Sequence, residues 1–395
     1  MNNKGLISFL SAVVVLIVGL LIGFIILLIS DHTRAARAFV TILTHGFSSM
    51  RILGDVLLNA TPIILTGLSV AFAFKTGLFN IGATGQYTIG AFTAVLIAIN
   101  ATFLPYTIRM VVAIIAATMT GALWGAIPGL LKAFRNVHEV ITCIMTNYIA
   151  MYLVTFLIEQ YTFNQPQRRS YPPPADTMLP TFGLENIFVD TWASNIDIGI
   201  FLAILMAIII YIVLQKTTFG YELKACGFNS DAAKYAGISQ KRSIVTSMMI
   251  CGALAGFGGA LVYMGGLGRT LETGNVLLQD GFVGISVAFL GMNHPIGILL
   301  SGTLISFLSI GGTRIQTSAE FAIEFIEIVI AIIIYFCAFV LLVNTMLGNR
   351  IEKLFKNKEP IISEDELPEL TDEKSTELTP GNSDNNLDSS GGSPL

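Results

Sequence analysis

Two carboxamides, Asn80 and Gln86, stand in the stretch Ala73-Phe74-Lys75-Thr76-Gly77-Leu78-Phe79-Asn80-Ile81-Gly82-Ala83-Thr84-Gly85-Gln86, between long apolar runs. Carboxamides and hydroxyls donate and accept hydrogen bonds without carrying charge. The chemistry they offer is recognition of a neutral, hydroxyl-rich solute rather than of an ion. Glycine-loosened polar backbone at membrane depth is tolerated only where protein buries it or where it lines a watery cavity, and interrupted helices of this kind point to a transport pathway. Further uncharged groups sit in apolar runs: Asn59, Thr61, Thr66 and Ser69 before the break, Thr142, Thr146 and Asn147 in the fifth run, and Ser286 in the eighth. Phe72, Phe74, Phe79 and Tyr87 offer faces on which a planar ring can stack. For each of these taken singly, a bond to its own helix or simple space filling is the competing reading. Asn80 and Gln86 as a group are expected to line a pathway.

The elements that must hold these groups are membrane helices. The chain has 395 residues, 53% hydrophobic and 12% charged, with a mean hydropathy of +0.73, whereas soluble domains carry about 25% charged residues. Stretches free of Asp, Glu, Lys and Arg run 5–30, 56–74, 76–108, 110–131, 140–158, 198–215, 243–268, 281–313 and 328–349. About 20 apolar residues cross the hydrocarbon. Interval 76–108 reads as the break followed by one span, and 281–313, with Asn293-His294-Pro295 at its middle, as two short helices. The expected fold class is all-α, a polytopic membrane bundle of about ten transmembrane helices with broken or re-entrant segments over residues 1–350.

Ten spans place both ends on one side. With both inside, 14 of the 22 basic residues face the cytoplasm, as the enrichment of inner loops in Lys and Arg requires. Residues 359–395 hold ten acids and one lysine among Ser, Thr, Pro, Asn and Gly, which predicts a disordered acidic cytoplasmic tail over 351–395. The outer loop 159–197, with Pro166, Pro172, Pro173, Pro174 and Pro180, reads as a stiff connector, with a docking surface as the alternative. In the inner segment 216–242, Asn229 and Ser230 offer an N-cap, Asp231, Ala232, Ala233, Lys234, Tyr235 and Ala236 a short helix, and Gly237 its stop; Ser239 caps the next span. So short a helix is marginal alone. A surface turn and a helix docked on a cytoplasmic motor both remain open. Gly121-x-x-x-Gly125-x-x-x-Gly129 and Gly252-x-x-x-Gly256 allow close helix approach, expected within one subunit rather than at a dimer seam.

No phosphate-binding loop, zinc-protease motif or nucleophile elbow occurs, and Cys143, Cys226, Cys251 and Cys337 form no C-x-x-C pair. Neither enzymatic activity, metal, cofactor nor nucleic-acid partner is expected, so any fuel comes from another polypeptide. Glu320, Glu324 and Glu327 share one helical face. Glu320 reads as an acid favoured at a helix start, while Glu324 and Glu327, deeper in the span, read as ionisable groups of the alternative, an ion-coupled secondary transporter of a small neutral solute.

The run Asn59-Ala60-Thr61-Pro62-Ile63-Ile64-Leu65-Thr66-Gly67-Leu68-Ser69-Val70-Ala71-Phe72, followed by Lys75 through Gln86, resembles the permease subunit of nucleoside and simple-sugar ABC importers, in the wider ribose and branched-chain amino acid permease group. Gly220-Tyr221-Glu222-Leu223-Lys224-Ala225-Cys226-Gly227-Phe228-Asn229, Ala232 through Ile238, and Gly281 through Gly291 extend the resemblance over residues 55–312. It implies import across a bacterial plasma membrane, an ABC ATPase docked on 220–242 with the short helix as coupling helix, a second permease subunit, and a substrate-binding lipoprotein outside. Thr84 departs from the pattern, which usually has an acid there. The first run is more like nucleoside permeases than free-sugar ones.

Overall fold

Lipid leaves backbone polar groups no partner except one another, so the apolar runs fold as helices. The computed structural model of the chain describes residues 3–346 except 191, 319, 320, 322 and 338. Its helices are α1 (Asn3–Ser30), α2 (Ala35–Thr44), α3 (Met50–Lys75), α4 (Ala83–Asn100), α5 (Tyr106–Arg135), α6 (Glu139–Tyr161), α7 (Leu184–Ile187), α8 (Gly199–Lys216), α9 (Thr218–Phe228), α10 (Ser230–Tyr235), α11 (Gln240–Tyr263), α12 (Asp280–Leu290), α13 (Pro295–Ser318) and α14 (Ile323–Cys337). The protein is a polytopic helical membrane protein. Among the described residues, eight stretches are long and apolar enough to cross a bilayer: those within α1, α3, α5, α6, α8, α11 and α13, and Ile328–Met346.

Two of the ten expected spans fall short of that measure. The 18 residues of α4 include Thr84, Gln86, Tyr87 and Asn100, polar groups that a lipid-facing helix would not carry. The 11 residues of α12 rise about 16 Å, half of a hydrocarbon core about 30 Å thick. Its neighbour is not short, since α13 runs for 24 residues. Glu324 and Glu327 fall in α14, while Glu320 and the acidic tail 351–395 lie outside the described residues.

At the centre is α3, 89% buried over its most apolar window, against 22% for peripheral α1. A helix apolar all round is stable only when surrounded, and α3 packs against α8, α11, α12 and α13. Ser49 caps it, accepting from the Ile52 N–H at 3.3 Å. The glycine motifs bring α5 onto α11 within this one chain. A Cβ built on Gly256 would lie 2.6 Å from the Ala117 carbonyl oxygen and 2.9 Å from Gly121 Cα, both backbone atoms with no rotamer to change. Gly256→Leu is therefore expected to cost about 3 kcal/mol through overpacking, read as loss of folded protein in detergent extracts.

In the loop between α6 and α8, Phe163 pairs with Ser170 and Asn164 with Arg169 in a two-stranded ribbon, β1 (Phe163–Asn164) with β2 (Arg169–Ser170). The loop carrying it is more than the expected connector. Ser170 N–H donates to the Leu271 carbonyl at 2.8 Å, Leu271 N–H to Ser170 Oγ at 2.9 Å, and Leu179 N–H to the Met264 carbonyl at 2.7 Å. Asp197, 2% exposed, accepts from the N–H of Gly199 at 2.7 Å and of Gly266 at 3.3 Å. The loop is thus stitched to the 264–273 segment that leads towards α12.

Candidate translocation site

The break predicted from the glycines is present. Gly77 turns left-handed at φ 75°, and a Cβ there would meet the Gly227 backbone 2.5 Å away, so α3 ends at Lys75 and α4 begins only at Ala83. A helix that begins inside protein has orphan N–H groups that no water can reach. Asn147, projecting from α6, supplies the partner: its Oδ1 accepts from Gly85 N–H at 2.8 Å and its Nδ2 donates to the Ile81 carbonyl at 3.0 Å. Asn80 Nδ2 donates to Gln86 Oε1 at 2.8 Å and Gln86 Nε2 donates back to Asn80 Oδ1 at 3.1 Å. Asn80 Nδ2 also donates to Ser69 Oγ at 3.1 Å, and Ser69 Oγ to the Cys251 carbonyl at 2.7 Å.

Asn80, Gln86 and Asn147 are all buried, and the break spends its polar groups on itself in this conformation. Asn80→Ala would strand the Gln86 amide, a loss of about 1–3 kcal/mol. A melting temperature lowered by several degrees is the expected result. The other intramembrane hydroxyls divide. Thr61 Oγ1 donates to the Leu57 carbonyl at 3.3 Å, Thr142 Oγ1 to His138 at 3.3 Å and Thr146 Oγ1 to Cys143 at 3.0 Å, all within their own helices or caps. Thr66 Oγ1 bonds the Pro62 carbonyl at 2.9 Å and also the Asp280 carbonyl at 3.0 Å, fixing the start of α12 on α3. Ser286 is buried on α12, and the Phe79 ring lies 6.1 Å from Phe289.

A second polar layer lies at the start of α12, and sequence reasoning had only two of its members. Tyr87 hydroxyl donates to Asp280 Oδ2 at 2.8 Å. Arg269 lies 3.9 Å from the same oxygen and donates to Asn59 Oδ1 at 2.7 Å. Asn59 Nδ2 in turn donates to the Asp55 carbonyl at 2.8 Å. Tyr263 and Arg269 line an open cavity of about 420 Å³ on the side of the 159–197 loop, with Gln167, Arg169 and Gly268, and Tyr263 also walls a second of about 180 Å³. Arg269 and Asp280 keep 35% and 30% of their side chains exposed, so this pair, unlike Asn80 and Gln86, has solvent to exchange for a ligand. A guanidinium that only donates, a carboxylate that only accepts and phenols that do both suit vicinal hydroxyls and amide edges. Thr84 and Tyr87, one turn apart, present the α4 face that receives Gly281 and Asp280.

At the opposite end, α9 and α10 form the segment that follows α8. Asn229 Oδ1 caps α10, accepting from Asp231 and Ala232 N–H at 3.1 and 3.0 Å, and Gly237 stops it at φ 81°. Ser239 occupies the N-cap position of α11 but its hydroxyl makes no capping bond. Ala232, Lys234, Tyr235 and Ala236 are exposed, and Ser230 is half-buried. Ala233 is turned into its own chain, 4% exposed. The helix α9, capped by Thr217 Oγ1 at 3.1 Å from Gly220 N–H, had not been anticipated.

Residues 52–338 match the profile described as branched-chain amino acid transport system, permease component. The chain belongs to that permease family. The permease is 38% identical over 335 residues, 85% of its length and 94% of the relative's, to the guanosine ABC transporter permease protein NupP of Bacillus subtilis. It is 35% identical over 353 residues, 88% and 95% of the two chains, to the nucleoside ABC transporter permease protein NupB of Lactococcus lactis subsp. cremoris. It is 32% identical over 307 residues, 75% and 78%, to the glucose ABC transporter permease protein TsgB13 of Haloferax volcanii. The two bacteria also hold more distant relatives of the permease, the guanosine ABC transporter permease protein NupQ, 28% identical over 64% of this chain and 78% of that one, and the nucleoside ABC transporter permease protein NupC, 25% over 70% and 87%. No solved structure matches the permease.

Proposed function

We propose that this permease is one half of the membrane pathway of an ABC importer for nucleosides in a bacterial plasma membrane. The observation that carries the reading is the half-exposed Arg269–Asp280 pair, with Tyr87 and Asn59, at the start of a half-length helix beneath an outward cavity. The names of NupP and NupB support a nucleoside as its solute, and that of TsgB13 makes a simple sugar the competitor. The paired names NupP with NupQ and NupB with NupC support a second, different permease subunit. A separate ABC ATPase engages residues 229–237, a substrate-binding lipoprotein delivers the nucleoside outside, and both termini are cytoplasmic. Solute passes Asn59, Thr61 and Thr66, then Ser286 and Phe79; the Asn80–Gln86 latch, held against Asn147, parts to release it inward.

The test is uptake of radiolabelled guanosine by intact cells, with unlabelled adenosine or glucose as competitor. Loss of uptake on deleting the ATPase gene, and competition by adenosine but not glucose, is the expected result. Competition by glucose alone overturns the nucleoside reading. Uptake that persists without the ATPase moves the protein to the ion-coupled class.

A further inference from the structure

The outer cavity and the break belong to transport, but one cavity on the lipid-facing side does not. It measures about 390 Å³ and is walled by Leu16 of α1, by Leu290 and Met292 at the end of α12, and by Leu300 and Leu304 of α13, with His294 as its single ionisable lining residue. Leu300 is 67% exposed, so the groove opens sideways. From His294 to Leu304 the chain advances ten helical steps, about 15 Å, the depth of one leaflet of a hydrocarbon core about 30 Å thick.

The polar end of the groove is cationic. The Gly77 and Gly227 backbones touch, which sets Lys75, the last residue of α3, near Lys224 of α9, and Phe74 packs on Phe289 at 5.4 Å, which sets that end of α3 beside the end of α12. Burial disfavours a proton on His294, so its ring adds a neutral donor rather than a third charge. Among the described residues no carboxylate lies within ion-pairing distance of Lys75 or Lys224. Lys224 Nζ has only the uncharged Gln215 Oε1, at 3.4 Å, and the His294 ring rests against Tyr211 at 5.8 Å. Like charges gathered without a counter-ion repel, which makes the cluster a place for an anion. An apolar slot one leaflet deep, with cations at its inner end, has the complementarity of one kind of molecule. A free phosphate would leave the slot empty, and a neutral lipid would leave the charges unpaired.

We propose that an anionic phospholipid of the inner leaflet occupies this groove, one acyl chain along α1 and α13 and its phosphate against Lys75, Lys224 and His294. Basic residues beside a bilayer attract anionic lipid by about 1 kcal/mol each. The full-length permease is to be reconstituted in nanodiscs of equal phosphatidylglycerol and phosphatidylcholine, stripped to tightly held lipid with mild detergent, and its lipid weighed by mass spectrometry. Phosphatidylglycerol enriched over phosphatidylcholine is expected. Lys75→Gln and Lys224→Gln should each lower that enrichment about fivefold, the equivalent of about 1 kcal/mol. Leu300→Trp, at an exposed position that fills the slot, should release the held lipid of either type. Arg135→Gln removes an exposed cytoplasmic cation elsewhere and should change nothing. Equal retention of the two lipids, an Arg135→Gln effect as large as that of Lys75→Gln, or lipid still held by Leu300→Trp would each overturn the assignment.

Discussion

Asp280→Asn should reduce nucleoside uptake at least tenfold with normal amounts of protein in the membrane. The carboxylate is the acceptor for the Tyr87 hydroxyl and the counter-charge for Arg269. Asparagine keeps the size and one acceptor but removes the charge, leaving a guanidinium without an anion in a membrane domain, where such groups are costly. Breaking a fully buried pair costs about 3–5 kcal/mol; these side chains are 30–35% exposed, so roughly half of that or less is expected after solvent screening. Arg269→Gln should impair uptake similarly. The double variant should restore thermal stability without restoring uptake, because it removes the imbalance but not the need for a ligand partner. Uptake within twofold of wild type in Asp280→Asn would remove this layer from the pathway.

Paired truncation of Phe228 and Tyr235 should have the second large effect. These rings are 92% and 95% exposed on the inner segment, and large aromatics left bare beside a capped helix have the character of interface anchors. Losing two such anchors would cost at least about 2 kcal/mol of docking energy, some thirtyfold in affinity. Phe228→Ala with Tyr235→Ala should therefore lose the co-purified ATPase and its uptake while the permease remains folded. Ala233→Asp is a different experiment. Ala233 is buried, so a charge there disturbs the segment itself and tests folding rather than docking. Full retention of the ATPase by the double alanine variant would place docking elsewhere.

Much of this was legible in the residues because lipid makes composition a structural instruction. Gly77 marked the end of α3, and Asn229 and Gly237 marked α10, since each supplies a local conformation that few other residues can. Burial was harder to read. Asn80 and Gln86 looked like groups waiting for a solute, yet they hold each other, because the sequence does not reveal that two amides six positions apart meet across a helix start. Arg269 and Asp280 escaped attention for the opposite reason. Charges at the edge of an apolar run read as outside loop, and only the 11-residue length of α12 brings them beside Tyr87 and Asn59. The length of α13 was hidden by its proline, which the helix accommodates as its first residue.

The stitched ribbon has a mechanical corollary. Ser170 and Leu271 hold each other through two backbone-anchored bonds, and Arg269 stands two residues before Leu271 in the same extended segment. A displacement of residues 163–170 is therefore passed with little slack to the backbone that carries Arg269, as a rod passes it to a crank. A protein that docked on that ribbon would hold the near end of a lever whose far end is Arg269.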